Sequence, residues 1–420
     1  MMRRAGMTCA VRAACGLRAG SQAFGDVAMG MADPILGLSV AYNNDTSPSK
    51  VNLGVGVYRD DNGLPFVLPS VRRAELRVCE QSLDHEYAPI SGLAGFVSKA
   101  QKLAFGGDSA VVAEKRIASS QTLSGTGALR IAGEFMNRFG KNKKLMVPNP
   151  TWGNHHAIFK DAGLEVEPYC YYSPKSKGID FEGMIADFEK QAPGTIILLH
   201  ACAHNPSGND PTEEQWRTIV EVIKRKQLFP LVDMAYQGFA SGDLNRDAFG
   251  LRLLASEVEA LVLCQSFAKS FGLYGQRTGA VHFMCADAGE AECVLSQLKI
   301  LIRPIYSNPP LYGARVVDTV LGDAELTTKW EGDLKDMADR MNGVRSELVK
   351  SLEAAGSVKD WSHILNQIGM MAFTGLSKAQ VAQLKADHHI YMTDDGRAAI
   401  SGLNSRNVEY VARAFHDVSK

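Results

Sequence analysis

A chain of 420 residues with 45 basic and 46 acidic side chains, a net charge of −1, lacks the basic excess that a nucleic-acid partner demands. It is longer than the roughly 250–300 residues that one hydrophobic core fills, so two domains are expected, and no apolar run approaches the ~18 residues that cross a bilayer. None of the eight cysteines stands in a C-x-x-C pair, so neither a zinc knuckle nor a dithiol redox centre is suggested, and a reducing compartment fits best.

In chain order, the first 25 residues hold Arg3, Arg4, Arg12 and Arg18 and no acid before Asp26. Arginine-rich and acid-free is the composition of an organellar transit peptide. Residues 1–28 are expected to be a mitochondrial presequence, with plastid or cytoplasm as the alternatives. From about residue 120 to 300, apolar runs such as "KLMVPNP", "GTIILLHACAHNPSG", "LFPLVDMAY", "ALVLCQSF" and "GAVHFMCA" alternate with helix-like stretches. That alternation predicts a mostly parallel sheet covered on both faces. One helix is expected over 211–227, opened by Pro211, with Glu213 and Glu214 in its first turn and Lys224, Arg225 and Lys226 closing it. The charge order complements the helix dipole. From Asp323, apolar steps of three and four through Leu326, Trp330, Leu334, Met337, Met341, Val344, Leu348 and Leu352 predict a helix of ~30 residues, about 45 Å long, bridging two domains. After Gly356 a strand ("GMMAFTGL"), a helix ("SKAQVAQLKADHH"), a strand-like "IYMTDDGRAAISGL" and a helix from about Ser405 predict a smaller α+β domain.

Ligands of such sheets bind beyond the strands' carboxyl ends, and His204, Asn205, Asp233, Ser266 and Lys269 all follow apolar runs closely. Lys269 sits among small and aromatic residues in "CQSFAKSFGLYGQRTGAV", its next cation being Arg277. A lysine there can condense with a carbonyl when burial or a neighbouring cation lowers its pKa; a solvated surface lysine is the blander reading. Ser266 and Arg277 suit a carbonyl compound that also carries phosphate. Ser124, Gly125, Thr126 and Gly127 precede a helix-like run and offer an anion cup, or simply a cap. They lack the Lys-Ser/Thr pair of a nucleotide loop. Asp233 at a strand end wants a cation or an N–H donor: a pyridinium nitrogen, an arginine or a helix N-cap. Tyr236 offers a phenol, and Asn205 an amide within an ordinary turn signal. Trp152 offers a flat face for an aromatic ring, or a core indole. A lysine, a phosphate cup, an acid, a phenol and an amide together describe a pyridoxal 5'-phosphate site, without a metal.

The stretches "NLGVGVYRDDNG", "YAPISGLAGF", "LSGTGALR", "PNPTWGNH", "HACAHNPSG", "DMAYQGFASGD", "SFAKSFGLYGQRTGAV" and "RPIYSNPP" closely resemble, in order and over nearly all the chain after the leader, the aspartate aminotransferases of fold type I. The resemblance implies an α/β fold. A large domain (66–335) would hold a mostly parallel seven-stranded sheet covered by helices, and a smaller α+β domain would be formed by the N- and C-terminal segments (29–65 and 336–420). It implies that Lys269 holds the cofactor and that Asp233 pairs with the pyridine nitrogen, with His155 supporting it from behind. By the same resemblance Tyr236 and Asn205 would bond the ring's 3-oxygen, and Trp152 would stack on the ring. Ser124, Gly125, Thr126, Ser266 and Arg277 would form the phosphate cup, completed by Tyr87 of a second subunit. Arg397, with Gly56 alongside, would grip the substrate α-carboxylate, and Arg303 of a second subunit the distal one. After Arg397 the chain reads "AAISGL", a departure from the family pattern. The activity implied is ping-pong transfer of an amino group between L-aspartate and 2-oxoglutarate, giving oxaloacetate and L-glutamate. The enzyme would be a homodimer with shared active sites, partnered by neither nucleic acid nor membrane. The rivals are a broader aromatic-amino-acid or kynurenine aminotransferase of the same fold, a scaffold protein with a dead site, and a nucleotide binder using Ser124 to Gly127.

Overall fold

The computed structural model describes residue 24, residues 27–30 and residues 34–420; the expected presequence lies almost wholly outside them. The centre of the molecule is a seven-stranded sheet built from β1 (Ile117–Leu123), β2 (Lys144–Asn149), β3 (Glu165–Cys170), β4 (Ile196–His200), β5 (Phe229–Met234), β6 (Leu261–Ser266) and β7 (Thr278–Met284). Their spatial order is β1-β7-β6-β5-β4-β2-β3. Strands β3, β2, β4, β5 and β6 pair in parallel. Strand β7 runs against both its neighbours, with Thr278 opposite Leu123 and Gly279 opposite Ser266.

Strand residues alternate between two apolar layers. Ile197, Leu199, Val232 and Leu263 pack against the helices Glu213–Lys226 and Phe249–Glu257 through Trp216, Ile219, Leu251 and Leu254. Ile196, Leu198, Leu231, Val262 and Val281 pack on the other face against Ser124–Phe139 and Ala288–Tyr306 through Leu129, Ile131, Leu298 and Leu301. Each fully buried aliphatic side chain contributes roughly 1.5–3 kcal/mol, and burial on both faces is why these strands read as unbroken apolar runs. Two strands carry no such run. Strand β1 buries Ser119, Ser120, Gln121 and Thr122, and β3 is a largely exposed edge.

The helix expected over 211–227 spans Glu213–Lys226. Thr212 rather than Pro211 starts it, through a capping box with Gln215, which satisfies two otherwise orphaned N–H groups. The long helix is Ala324–Ala354, capped by Asp323 accepting from the Leu326 amide. Its stripe reaches the large domain, where Trp330 stacks on Phe271 at 4.5 Å between centroids, and the same apolar cluster takes in Trp361, Ile364 and Phe415. Val51–Asn52 pairs in parallel with Ile390–Tyr391, and Met371–Phe373 pairs antiparallel with Arg397–Ala399. The smaller α+β domain is thus formed by both ends of the chain. Its last helix is Val408–Ser419, starting later than Ser405 because Asn404 first closes a turn by accepting from the Arg406 and Asn407 amides.

Candidate active site

A cavity of about 340 Å³ lies at the carboxyl edge of the sheet, roofed by Gly56, Met371 and Arg397 of the small domain. Lys269 enters it from the turn after β6. Its Nζ donates to the Gly56 carbonyl at 2.6 Å and lies 4.9 Å from the Tyr274 ring centroid. Burial, reinforced by the Arg277 and Arg397 charges, lowers its pKa to about 8. A buried ammonium loses hydration, and two nearby cations penalise it further.

Beside Lys269 a small anion cup is folded from two strand ends. Ser124 Oγ and Ser266 Oγ are 3.0 Å apart, and Ser124, Gly125 and Thr126 open the helix Ser124–Phe139. Ser124 and Arg277 both hold left-handed backbone, φ 61° and 51°, which costs a non-glycine residue about 1 kcal/mol or more. At Gly279 a Cβ would stand 2.5 Å from the Ser124 carbonyl carbon, so only glycine lets β7 approach this closely. Strain concentrated where amides, hydroxyls and a guanidinium converge is the mark of a built anion site.

At the other end of the cavity, Asp233 Oδ2 is 3.1 Å from His155 Nε2, and His155 Nδ1 is 2.8 Å from Thr151 Oγ1. The row Thr151–His155–Asp233 fixes the direction of the carboxylate. Trp152 lies edge-on to His155 at 5.3 Å and lines the cavity. Tyr236 is buried, which raises its phenol pKa, and Arg397 partly offsets that rise. Asn205 Oδ1 and Arg397 Nε are buried without hydrogen-bond partners. An unmet buried polar atom costs roughly 1–3 kcal/mol, and both of these belong to residues that line the cavity.

The sequence model of the class I and II aminotransferases matches residues 48–415. The chain belongs to this family. It is 54% identical over 395 residues to a mitochondrial aspartate aminotransferase of Dictyostelium discoideum, covering 94% of this chain and 93% of that one. A solved mitochondrial aspartate aminotransferase from Trypanosoma brucei superposes with a TM-score of 0.89 at 52% identity, over 91% of this chain and 100% of that one. An aromatic-amino-acid aminotransferase from Burkholderia pseudomallei, solved covalently bound to pyridoxal phosphate, gives 0.92 at 43% identity, over 95% and 100%.

Of the site residues expected of an aminotransferase of this class, Gly56, Ser124, Gly125, Thr126, Trp152, Asn205, Asp233, Tyr236, Ser266, Lys269, Arg277 and Arg397 all line the one cavity. His155 stands behind Asp233. Tyr87 and Arg303 are not among the cavity's residues. Tyr87 is 85% exposed, and Arg303, near the end of Ala288–Tyr306, donates to Ser307 Oγ at 2.6 Å and to Asn308 Oδ1 at 3.3 Å. His204, a candidate by position, stacks on Tyr171 at 3.8 Å instead. The cavity also holds Met371, Cys202 and His200, which sequence reasoning passed over. Burial takes the His200 imidazole down to about 3, so it is neutral. His155, His200 and Asp233 offer ligand atoms within 4.8 Å of one another, but both ring nitrogens of His155 are already engaged. The Thr151–His155 spacing of four was the visible sign of the row behind Asp233. His200 carried no sign beyond its place at a strand end.

The residues present suit pyridoxal 5'-phosphate. They give a strained cup for a dianion, a carboxylate aimed by an imidazole, an indole wall, and a buried amine near neutrality.

Proposed function

We propose that this chain, a mitochondrial enzyme, moves an amino group between L-aspartate and 2-oxoglutarate, giving oxaloacetate and L-glutamate, with pyridoxal 5'-phosphate as cofactor. The observation that carries the reading is Lys269, an amine held in a buried cavity with its pKa lowered to about 8 beside an anion cup and opposite an oriented carboxylate. The relatives' names and 49–54% identities support the substrate pair and the compartment.

When bound, pyridoxal 5'-phosphate supplies an aldehyde for an amine and a ring that draws electrons from the substrate Cα. Ser124, Gly125, Thr126, Ser266 and Arg277 would hold its phosphate. Asp233, aimed by His155, would keep a proton on the ring nitrogen. Tyr236 and the Asn205 amide would serve the ring's 3-oxygen, and Trp152 would cover the ring face. Lys269 would be the residue that holds the aldehyde, and its amine, when free, would move the proton at the substrate Cα, work suited to a base with a pKa near ambient pH. Arg397 grips the α-carboxylate fork to fork, roofed by Gly56. A second copy of the chain lends Arg303 to the distal carboxylate and Tyr87 to the phosphate, so the working unit is a homodimer. Each half-reaction releases one product before the next substrate binds, which gives ping-pong kinetics.

The test is turnover with 2-oxoglutarate across aspartate, phenylalanine and kynurenine, followed by borohydride reduction, digestion and mapping of the pyridoxyl label. Aspartate should lead and the label should fall on the peptide containing Lys269. Faster turnover of phenylalanine would favour the aromatic reading, and a label on any other peptide overturns the assignment of the site.

A further inference from the structure

We propose that Asp210 and Asp247 are positioning residues, one half-buried carboxylate and one buried, that fix the loops presenting Asn205 and Tyr236 before any cofactor arrives. The proposal rests on the reading that those two side chains face the ring oxygen. Neither carboxylate lines the cavity, and each is spent on backbone amides. Asp210 accepts from the Ala203 amide at 2.6 Å and the His204 amide at 2.9 Å, the two residues immediately before Asn205. Ala203 holds left-handed backbone at φ 50°, which an alanine adopts only under constraint; the carboxylate across the turn supplies it.

Asp247 does the same for the turn after Tyr236. Its Oδ2 accepts from Gly238 at 2.8 Å, Ala240 at 3.1 Å and Ser241 at 3.2 Å, and its Oδ1 accepts from Ser241 at 3.1 Å. The Ala240 amide is shared with the Tyr236 carbonyl at 3.0 Å, so the carboxylate reaches the phenol's own backbone through one N–H. Gly238 sits at φ 80°, where a Cβ would strike Leu244 and Leu334 at 2.5 and 2.6 Å, so this turn has a single tight course.

Several N–H donors normally lower a carboxyl pKa. Here burial outweighs them, and both residues rise to about 6. Withdrawing two such groups from water, even in part, is costly. The outlay is explained if what they hold must be exact, since displacing a reacting group by 1 Å can cost about 100-fold in rate.

The experiment compares the holoenzyme with Asp247→Asn, Asp210→Asn, Tyr236→Phe, Asn205→Ala and the two matched doubles. The readouts are the pH midpoint of the bound cofactor's visible absorption, cofactor dissociation followed by Trp fluorescence, and kcat against KM. An asparagine keeps the shape but swaps one acceptor oxygen for N–H donors facing an amide. We expect each single change at the carboxylates to move the absorption midpoint in the same direction as its partner's variant. Each should lower kcat about tenfold or more, with KM for aspartate within about twofold. In the doubles the effects should be non-additive, since each pair acts through one group. Additive effects, or an unmoved midpoint in the Asp variants, overturn the proposal while leaving the site intact. An unmoved midpoint in Tyr236→Phe and Asn205→Ala overturns the underlying site reading instead. Should the Asp variants not fold, amide exchange of wild-type protein decides. The amides of Ala203, His204, Gly238, Ala240 and Ser241 should exchange equally slowly with and without cofactor. Loss of their protection in the apoprotein would show that the cofactor, not the carboxylates, holds these loops.

Discussion

Arg397 and Arg303 carry the same head group and are expected to meet the same partner, a carboxylate, yet the fold treats them in opposite ways. Arg397 stands at the start of a small-domain strand, 5% exposed, donates to the Gly54 carbonyl at 3.1 Å and lines the cavity. Arg303 lies exposed at the far end of a helix, engaged with a serine and an asparagine four and five residues on. A desolvated guanidinium gains far more from a carboxylate than a hydrated one, and loses far more when left alone. On the proposed roles, one chain folds a finished grip for what all amino acids share and leaves on its outer surface the charge that would tell aspartate from the rest. Recognition of the α-carboxylate would then belong to the fold, and side-chain selection to assembly.

The bluntest way to probe that division is to remove the chemistry common to both halves. Lys269→Ala should lower turnover of every donor by up to about 10⁴, measured as initial rates with saturating 2-oxoglutarate; a loss under tenfold would move the base elsewhere. Arg397→Ala should next cost about 10²–10³ in kcat/KM, with aspartate and phenylalanine suffering alike. Arg303→Asp should instead lower kcat/KM for aspartate by about 100-fold and spare phenylalanine, and equal losses for both donors in both variants would erase the contrast. Mixing the Lys269→Ala and Arg303→Asp chains sharpens it. If Arg303 serves a second copy, half the re-equilibrated dimers contain one intact site, and activity should recover to about a quarter of wild type. No recovery would return Arg303 to its own cavity. The smallest effect is a titration. Lys269 in the apoprotein should become reactive toward amine reagents as the pH rises through about 8, whereas a solvated lysine does so near ~10.4. The sign follows from burial, which disfavours the charged form. Reactivity appearing only near the ordinary value would mean that the amine is hydrated.

How much of this was legible depended on which signal each part carries. Strands β4 to β7 announced themselves because two covered faces demand continuous apolar sequence, and the functional residues at their ends followed from that placement. Strand β1 stayed partly hidden because Ser119, Gln121 and Thr122 are buried with hydrogen-bond partners rather than by being apolar, as when Ser119 Oγ meets His282 Nδ1 at 2.8 Å. Strand β3 was missed because an exposed edge needs no apolar pattern. The first-contact residues Lys269, Asp233 and Tyr236 were readable as odd chemistry in apolar surroundings. Asp210 and Asp247 were not, since an acid near Asn-Pro or Ser-Gly reads as turn composition. Their oxygens are consumed by backbone amides that the fold, not the local sequence, brings to them. Met371 was likewise invisible: it borders the cavity only because its strand pairs with Arg397–Ala399, a contact across the sequence that no local pattern encodes.

The reversed direction of β7 has a consequence for how compactly the chemistry is written in the chain. Parallel neighbours can deliver only their exits to the cavity rim, and joining two of them takes a crossover of a dozen or more residues. Because β7 runs the other way, Arg277 arrives at the rim on an entrance. Hydroxyl, amine and guanidinium at 266, 269 and 277 therefore share a single hairpin. Inserting one residue into that connection would disturb all three at once, whereas an insertion in the helix of a parallel crossover such as Glu213–Lys226 would be absorbed far from the ligand.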